Sequence, residues 1–419
     1  MDTNTNKIRL YCLFVFVAYY YLLKIGYFTV YNIYEHVGFE YQYDTFKQIV
    51  STTIFFVFIA VFFLLKKMDS FTWSVTTYVF SIMTIPILVY YEYNPTMNIS
   101  YLIGHLSVII FLILFLNSSS KTKARNVIKK VEDKRVLYFL VLLMICPFII
   151  TYGFNFNFDI FTLASEAIYD VRYASIENSN VLTRYFEGWL SKAICPILLV
   201  YGLIKKDKKI ILFSAIILLY IFLISAHKSL FLGTLTILFF YFIKGYERKI
   251  LSFMILICSL ISISEILTYL DIPNPITAIV TYRYLFVPVE VGSYYFEFFD
   301  EKFTYWSQSP FNPFVFYKYN STPAYVIGDY YYNDPTLAAN TGIISDGFMN
   351  FGFLGILINV LIFVFIVYLW KRKRISEKYF GVFVSYLIAF QNSSLPTIFL
   401  THGLIIVFLL FTFFELEET

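Results

Sequence analysis

Cysteine and histidine are scarce in this chain, with four of each among 419 residues. Neither set shows the short spacing of a metal site or a disulfide framework. The cysteines fall in long apolar stretches, where a thiol behaves as a small hydrophobic side chain. We therefore expect no metal, no cofactor and no disulfide-stabilised secreted domain. The residues are Cys12, Cys146, Cys195, Cys258, His36, His105, His227 and His402.

Several enzyme motifs are also missing. The chain has no G-x-x-x-x-G-K-[ST] phosphate loop, no H-E-x-x-H zinc motif and no G-x-S-x-G nucleophile elbow. It has no D-x-D pair either, so a metal-held nucleotide-sugar donor is unsupported. If the chain releases an anionic leaving group, we expect protein cations rather than a divalent metal to stabilise that group.

Charged residues make up only 14% of the chain, whereas apolar residues reach 59% and aromatics 22%. Repeated apolar runs of about 20 residues are typical of membrane spans. The formal net charge of +4 comes from short basic linkers and does not indicate nucleic-acid binding. The sequence predicts about twelve spans: 8–31, 48–65, 70–91, 100–117, 136–153, 188–204, 210–226, 229–243, 250–269, 348–370, 379–394 and 398–414.

The basic residues are concentrated in every second linker. Together with Lys7 and Arg9, these linkers hold 23 of the 32 Lys and Arg residues. Because basic segments resist translocation, this alternation places the basic linkers and both termini on the cytoplasmic side. The basic linkers lie at 66–67, 121–135, 205–209, 244–249 and 371–378.

Two predicted external linkers, 154–187 and 270–347, are too long to be simple turns. Twenty aromatic residues lie between Asp271 and Asp346, which argues against disorder. Seven prolines predict short helices and turns there instead of one long helix. The expected fold is a single all-α polytopic membrane domain over 1–419, with two large external, periplasmic-side loops that contain short helices.

Arginines on the predicted outer face are unusual, because basic residues are normally retained on the cytoplasmic side. Arg172 and Arg184 lie in the first large loop and Arg283 lies in the second. Planar guanidinium groups bind phosphates in a bidentate manner, which suits a lipid diphosphate. Pairing with nearby carboxylates or lipid headgroups is the alternative, and the sequence leaves it open.

A resemblance covers about 280–360. Its stretches are TYRYLFVPVEVGSYYFEFF and YVIGDYYYNDPTLAANTGIISDGFMNFGFLGILI. An arginine, a proline and an aromatic run are followed by an Ala-Asn-x-Gly turn, an acid and Asn-x-Gly. This order resembles the O-antigen polymerases, the Wzy-type polymerases of oligosaccharide repeat units. A second match is ISAHKSLFLGTL, where Lys228 stands in the place of an arginine that is usual in related enzymes.

The resemblance implies a metal-independent glycosyltransferase of the lipid-phosphate type in a bacterial inner membrane. Its partners would be undecaprenyl-diphosphate-linked oligosaccharides, membrane lipids and a chain-length regulator. Arg283 and Arg172, with Arg184 and Lys228, are expected to bind the diphosphate. Asp346 is the first candidate for the base, and a capping role at a helix start is its alternative. Glu290 and His402 are weaker candidates for the base, and Glu290, His402 and Asn340 are expected to contact the substrate.

Two other functions remain in competition. An O-antigen ligase usually carries a histidine in the large loop, and here that loop has none. A flippase for lipid-linked units would suit twelve spans, but such transporters place ionisable groups near the bilayer midplane in repeated halves. No internal repeat is found, and Lys24 and Glu265 fall toward the outer ends of their predicted spans.

Overall fold

The computed structural model describes residues 3–65, 67–117, 134–154, 156, 179–309, 312 and 315–416. Over these residues the chain is helical and has no β-strand. The first seven helices are α1 (Thr3–Tyr34), α2 (Thr45–Leu64), α3 (Ser70–Tyr93), α4 (Ile99–Asn117), α5 (Lys134–Tyr152), α6 (Val181–Lys205) and α7 (Lys208–Ser225).

Seven helices follow, and one of them changes its winding along its length. Helix α10 is π-helical over Thr277–Phe286 and continues as an α-helix over Val287–Phe298. The other helices are α8 (Lys228–Phe242), α9 (Tyr246–Tyr269), α11 (Pro323–Tyr332), α12 (Ile343–Lys373), α13 (Phe380–Asn392) and α14 (Leu404–Phe413).

Nine helices in the described part of the chain are long and apolar enough to cross a membrane: α1 to α7, α9 and α12. Their length and composition indicate a multi-pass membrane protein. The predicted spans 229–243, 379–394 and 398–414 coincide with α8, α13 and α14, which have only 15, 13 and 10 residues. The last predicted span is interrupted by a π-helical turn at Thr397–Thr401 and by Gly403, whose φ is +74°.

The chain divides into two compact units. Unit 1 contains Met1–Thr122, Gly245–Lys371 and Phe390–Ser394, and unit 2 contains Lys123–Lys244, Arg372–Ala389 and Leu395–Thr419. In unit 1, every residue from Phe71 to Tyr93 in α3 is buried. A helix that is buried on all sides lies in the centre of a bundle, and α3 is accordingly packed between α2, α4 and α9.

One end of unit 1 gathers residues from several basic linkers. The Arg9 guanidinium donates to Glu247 at 2.8 Å and to the Met68 carbonyl at 2.9 Å. The Lys371 ammonium donates to Asp69 at 2.7 Å and to the carbonyl of residue 116 at 2.9 Å. The ends of these alternate linkers therefore lie on the same side of unit 1.

Proline explains an unusual feature of α3, α6 and α10. Each contains a π-helical segment that ends just before a proline. The ring of a proline clashes with the carbonyl four residues earlier, and widening the helix by one residue relieves this clash. The amide before each proline thus donates to the carbonyl five residues back: Ile85 to Phe80, Cys195 to Leu190 and Val287 to Tyr282.

The helix continues through Pro288, so the prediction that prolines divide 270–347 into short pieces is wrong at this position. Pro288 lies at the junction between the two windings of α10 and interrupts neither. The predicted loop therefore contains a long, largely buried helix that packs against α1, α3 and α9.

A tight reversal divides α12 into two arms. Phe351 and Gly352 have non-helical backbone angles, with φ of +59° at the glycine. The arm before the reversal packs back on the arm after it. A Cβ atom on Gly355 would lie 1.9 Å from the Gly347 carbonyl oxygen, and the Asn359 amide donates to the Ile343 carbonyl at 2.7 Å. Only glycine at both crossing points allows the two backbones to approach this closely.

Unit 2 is held together by close packing and by hydrogen bonds between its helices. A Cβ atom on Gly188 would lie 1.9 Å from the Thr401 carbonyl oxygen. The Trp189 indole donates to the Leu400 carbonyl at 2.6 Å, and the Tyr386 hydroxyl donates to the His402 carbonyl at 2.8 Å. These contacts join α6 to the π-helical turn before α14 and fix the polar residues near His402.

Candidate functional site

Glu290 is the best-defined polar group of unit 1. It lies on α10 and its side chain is completely buried. The Tyr294 hydroxyl, one turn later on the same helix, donates to its Oε1 at 3.3 Å. The Tyr332 hydroxyl, from α11, donates to its Oε2 at 3.1 Å. Both carboxyl oxygens thus have a hydrogen-bond donor, and the two donors come from different helices.

An exposed glycine covers this carboxyl group. Gly38 ends the short turn after α1 and has a φ of +110°. A Cβ atom at Gly38 would lie 2.2 Å from the Tyr294 hydroxyl oxygen and 3.2 Å from Oε1 of Glu290. Since the Gly38 backbone itself is exposed, Glu290 is separated from the surface by a thin layer. Any larger residue at position 38 would collide with the tyrosine.

Burial raises the pKa of Glu290 from its ordinary 4.5 to about 8. The hydrogen bonds from Tyr332 and Tyr294 lower this pKa, but they do not offset the loss of water. Burial raises the pKa of both tyrosines, so they remain donors. A carboxyl group with a pKa near neutrality can accept or release a proton under physiological conditions, which is what acid–base catalysis requires.

The raised pKa should make the stability of the protein depend on pH. The folded carboxyl holds its proton up to a pH of about 8, whereas the ordinary pKa is 4.5. The free energy of unfolding should therefore fall as the pH rises between these values, by at most about 1.4 kcal/mol per unit. We expect the melting temperature of the detergent-solubilised protein to decline over this range and that of Glu290→Gln to change less. Identical curves would show that the folded protein does not raise this pKa.

Arg283 lies on the same helix, at the edge of the tyrosine cluster. Its side chain is exposed, and its charge acts on the phenol of Tyr34. Tyr34 stacks on Tyr282 with ring centroids 3.8 Å apart, and Tyr282 in turn acts electrostatically on Tyr332. Arg283 therefore lies beside the stacked pair Tyr34 and Tyr282, two turns before Glu290 on the same helix.

Asp346, the first candidate for the base, is buried in unit 1. It is only 4% exposed and lies between the two arms of α12. The amides of Asn350 and Asn359 each donate to its carboxyl group at 3.4 Å. Asn340 is exposed in the preceding turn, and its amide donates to the Ala338 carbonyl. The structure thus places Asp346 in a polar contact between helices rather than at an open surface.

Unit 2 contains three other predicted residues, Arg184, Lys228 and His402, close to a second group of polar side chains. Glu187 and His227 form an ion pair at 3.6 Å if the histidine is protonated. Arg184 is exposed on the same turn of α6 as Glu187, and Lys228 follows His227 as the first residue of α8. His402 is partly buried in the same unit.

Lys192 joins this cluster and was not singled out from the sequence. Its side chain is exposed at the surface of unit 2. Its charge acts on Glu187 and on His402, and the Tyr386 hydroxyl contacts its carbonyl at 3.3 Å. The sequence could have singled out Lys192, because it is a lysine within the predicted span 188–204 and charges inside the membrane are often functional.

A buried ion pair was also missed. Lys24 and Glu92 lie 2.9 Å apart, and the lysine ammonium is 4.5 Å from the centre of the Tyr20 ring. The Tyr20 hydroxyl donates to Glu92 at 3.2 Å. Lys24 and Glu92 lie in two apolar runs that are far apart in the sequence, so the sequence did not indicate that they would form an ion pair.

Five of the predicted residues therefore fall into two clusters, one in each unit, whereas Asp346 and Asn340 lie elsewhere in unit 1. Arg172 lies outside the described residues. Over the described parts of the chain, no three His, Cys, Asp or Glu side chains are grouped as a metal site. Compared with known proteins, this chain matches no protein-family model, no curated protein and no solved structure.

Proposed function

We propose that this chain polymerises lipid-linked oligosaccharide repeat units. A hydroxyl group of one lipid-linked unit attacks the anomeric carbon of a glycan on undecaprenyl diphosphate. The new glycosidic bond forms as the bond to the diphosphate breaks, and the base takes the hydroxyl proton. The observation that carries this proposal is the Glu290 carboxyl, which combines deep burial, two tyrosine donors and a thin cover at Gly38.

Glu290 is a better base than Asp346 on physical grounds. The pKa of Glu290 is raised to about 8, so its carboxylate is a stronger base than an ordinary carboxylate. Asp346 lies in the first turn of α12, held by two asparagine amides. Those contacts favour a structural role. The proposal therefore reverses the order in which the sequence ranked these acids.

Cations near each cluster support the binding of diphosphate groups. Arg283 is exposed beside the tyrosines of unit 1, and its planar fork suits a phosphate. In unit 2, Lys192 lies near His402, while Arg184 and Lys228 lie beside the paired Glu187 and His227. We assign these residues, together with Arg172 and the exposed Asn340, to substrate binding.

The proposal includes an orientation in the bacterial inner membrane. In this orientation the chain crosses the membrane about twelve times, both termini lie in the cytoplasm, and the segments 154–187 and 270–347 lie outside. Its support is the alternation of basic linkers in the sequence. The Arg9 and Lys371 contacts add to this support because they gather alternate linker ends on one side of unit 1.

We expect Glu290→Gln to abolish long glycan chains. Glutamine keeps the size and can accept a tyrosine hydrogen bond, but it cannot take a proton. Loss of a general base slows reactions by roughly 10²–10⁴-fold. The length ladder of the surface polysaccharide should collapse to single repeat units on the acceptor lipid.

The matched control for this experiment is Glu297→Gln, which changes an exposed acid on the same helix. It should leave the ladder intact. A normal ladder in a well-expressed Glu290→Gln strain would remove Glu290 from the mechanism.

One observation favours a second function, the export of lipid-linked units. The Lys24–Glu92 pair joins two candidate membrane helices and is almost fully buried, and transporters use such pairs. If export is the function, Lys24→Met should prevent even single repeat units from reaching the surface. If the chain is a polymerase, single repeat units should reach the surface in both Lys24→Met and Glu290→Gln.

A further inference from the structure

A cleft on unit 1 lies apart from the Glu290 cluster. It is formed by two segments of the chain, 301–307 and 315–319, and has a volume of about 200 Å³. This is smaller than the roughly 300–1,000 Å³ of drug-sized sites, so it suits one small ring. We refer to it as the 301–319 cleft. Its wall includes Lys302, Tyr305, Phe316, Tyr317, Lys318 and Tyr319.

The first wall of the cleft has an unusual backbone. Glu301, Tyr305 and Trp306 have φ values of +58°, +52° and +57°. Residues with side chains rarely adopt this left-handed region, and such strain persists only where the surroundings enforce it. Strained residues of this kind occur frequently at ligand sites.

A buried asparagine enforces this conformation. The Oδ1 atom of Asn350 accepts hydrogen bonds from the Thr304 hydroxyl and the Trp306 amide, both at 2.8 Å. The Tyr305 amide donates to the Asn350 carbonyl at 3.1 Å. The wall is therefore attached to the reversal of α12 before any ligand arrives, which lowers the entropic cost of binding.

The chemistry of the cleft combines flat aromatic faces with charged groups. Phe316 is 88% exposed and Tyr305 is 43% exposed. Glu301 and Lys302 on the first segment and Lys318 on the second add hydrogen-bonding groups to the cleft. A hydrocarbon chain could not use these charges. A sugar ring uses both features, because its C–H faces stack on aromatic rings and its hydroxyl groups bond to charged side chains.

We propose that the 301–319 cleft binds a sugar ring of the oligosaccharide substrate. The identity of that oligosaccharide rests on the proposed function, but the sugar-binding chemistry does not. Removing the face of Phe316 should weaken glycan binding about 2–10-fold, the usual effect of one aromatic contact. Because this ring is so exposed, its replacement should not disturb folding.

Photo-crosslinking in intact cells tests the proposal. Benzoylphenylalanine would replace Phe316 in the full-length chain, and the adduct would be identified by glycan staining and mass spectrometry. The matched control places the same group at Tyr330, an aromatic residue that is 66% exposed on α11 and lies outside the cleft wall. We expect a saccharide adduct at Phe316 and none at Tyr330.

Three outcomes would overturn the inference: a lipid adduct at Phe316, equal saccharide adducts at the two positions, or no adduct at either. A lipid adduct would show that the ring contacts the membrane interface. Repeating the experiment in Glu290→Gln separates the two proposals, since binding precedes chemistry. A retained adduct together with normal chains would remove Glu290 as the base and leave the cleft standing. Loss of long chains in Glu290→Gln without any saccharide adduct at Phe316 would keep Glu290 as the base and overturn the sugar-binding cleft.

Discussion

Gly355→Ala is expected to lower the stability of the protein sharply. The new methyl group would lie 1.9 Å from the Gly347 carbonyl oxygen and 2.7 Å from its carbon. Both atoms belong to the backbone of the opposite arm, so no side chain can rotate away. Overpacking typically costs about 1–3 kcal/mol, and a clash between two backbones should lie at the upper end of this range. Separating the arms would also break the hydrogen bond from Asn359 to Ile343.

Gly233→Ala provides the matched control. Gly233 also lies within an apolar helix, but no atom lies within 4 Å of a Cβ built there. An alanine at this position should be neutral or stabilise the protein by up to about 1 kcal/mol. Melting of both variants in detergent, followed by size-exclusion chromatography, gives the comparison. Equal melting temperatures would show that the two arms of α12 do not pack as described.

Asn350→Asp is expected to be the second severe substitution. The Asn350 side chain is fully buried, and its amide nitrogen donates to the Asp346 carbonyl at 2.7 Å. Aspartate would lose this donor and bring a second carboxyl group beside Asp346. An uncompensated buried charge costs about 3–5 kcal/mol, so we expect little folded protein.

Asn340→Asp tests whether the effect depends on position. Asn340 is exposed, with one long amide contact to the Ala338 carbonyl. The added charge there remains in water, so the yield and the melting temperature should be close to those of the wild type. If Asn350→Asp behaved like Asn340→Asp, the hydrogen bonds that attach the 301–319 cleft to α12 would contribute little.

Much of the helical pattern could be predicted because apolar periodicity and length are local properties of the sequence. The predicted spans 48–65 and 250–269 lie close to α2 and α9, at Thr45–Leu64 and Tyr246–Tyr269. The same reasoning missed α10. Its tyrosines, prolines and acids resemble a loop in composition, but they are packed inside unit 1.

The site was only partly predictable, because its geometry depends on distant partners. The sequence named Glu290 and Arg283, but nothing local showed that Gly38 would cover the acid or that Tyr332 would bond to it. Nothing near Asp346 in the sequence indicated that its side chain would be buried. Its burial depends on Asn359, which returns beside it only after the reversal.

The π-helical segments also have a consequence for how this chain can vary. A π-helical turn contains about one residue more than the α-helical turn that it replaces, so each such turn acts as an insertion absorbed within a helix. In α10 the segment over Thr277–Phe286 precedes Glu290. The direction in which Glu290 points is therefore set by the number of residues before it. Homologues that lack the proline at 288 should also be shorter in this segment, so that sequence length and proline content change together.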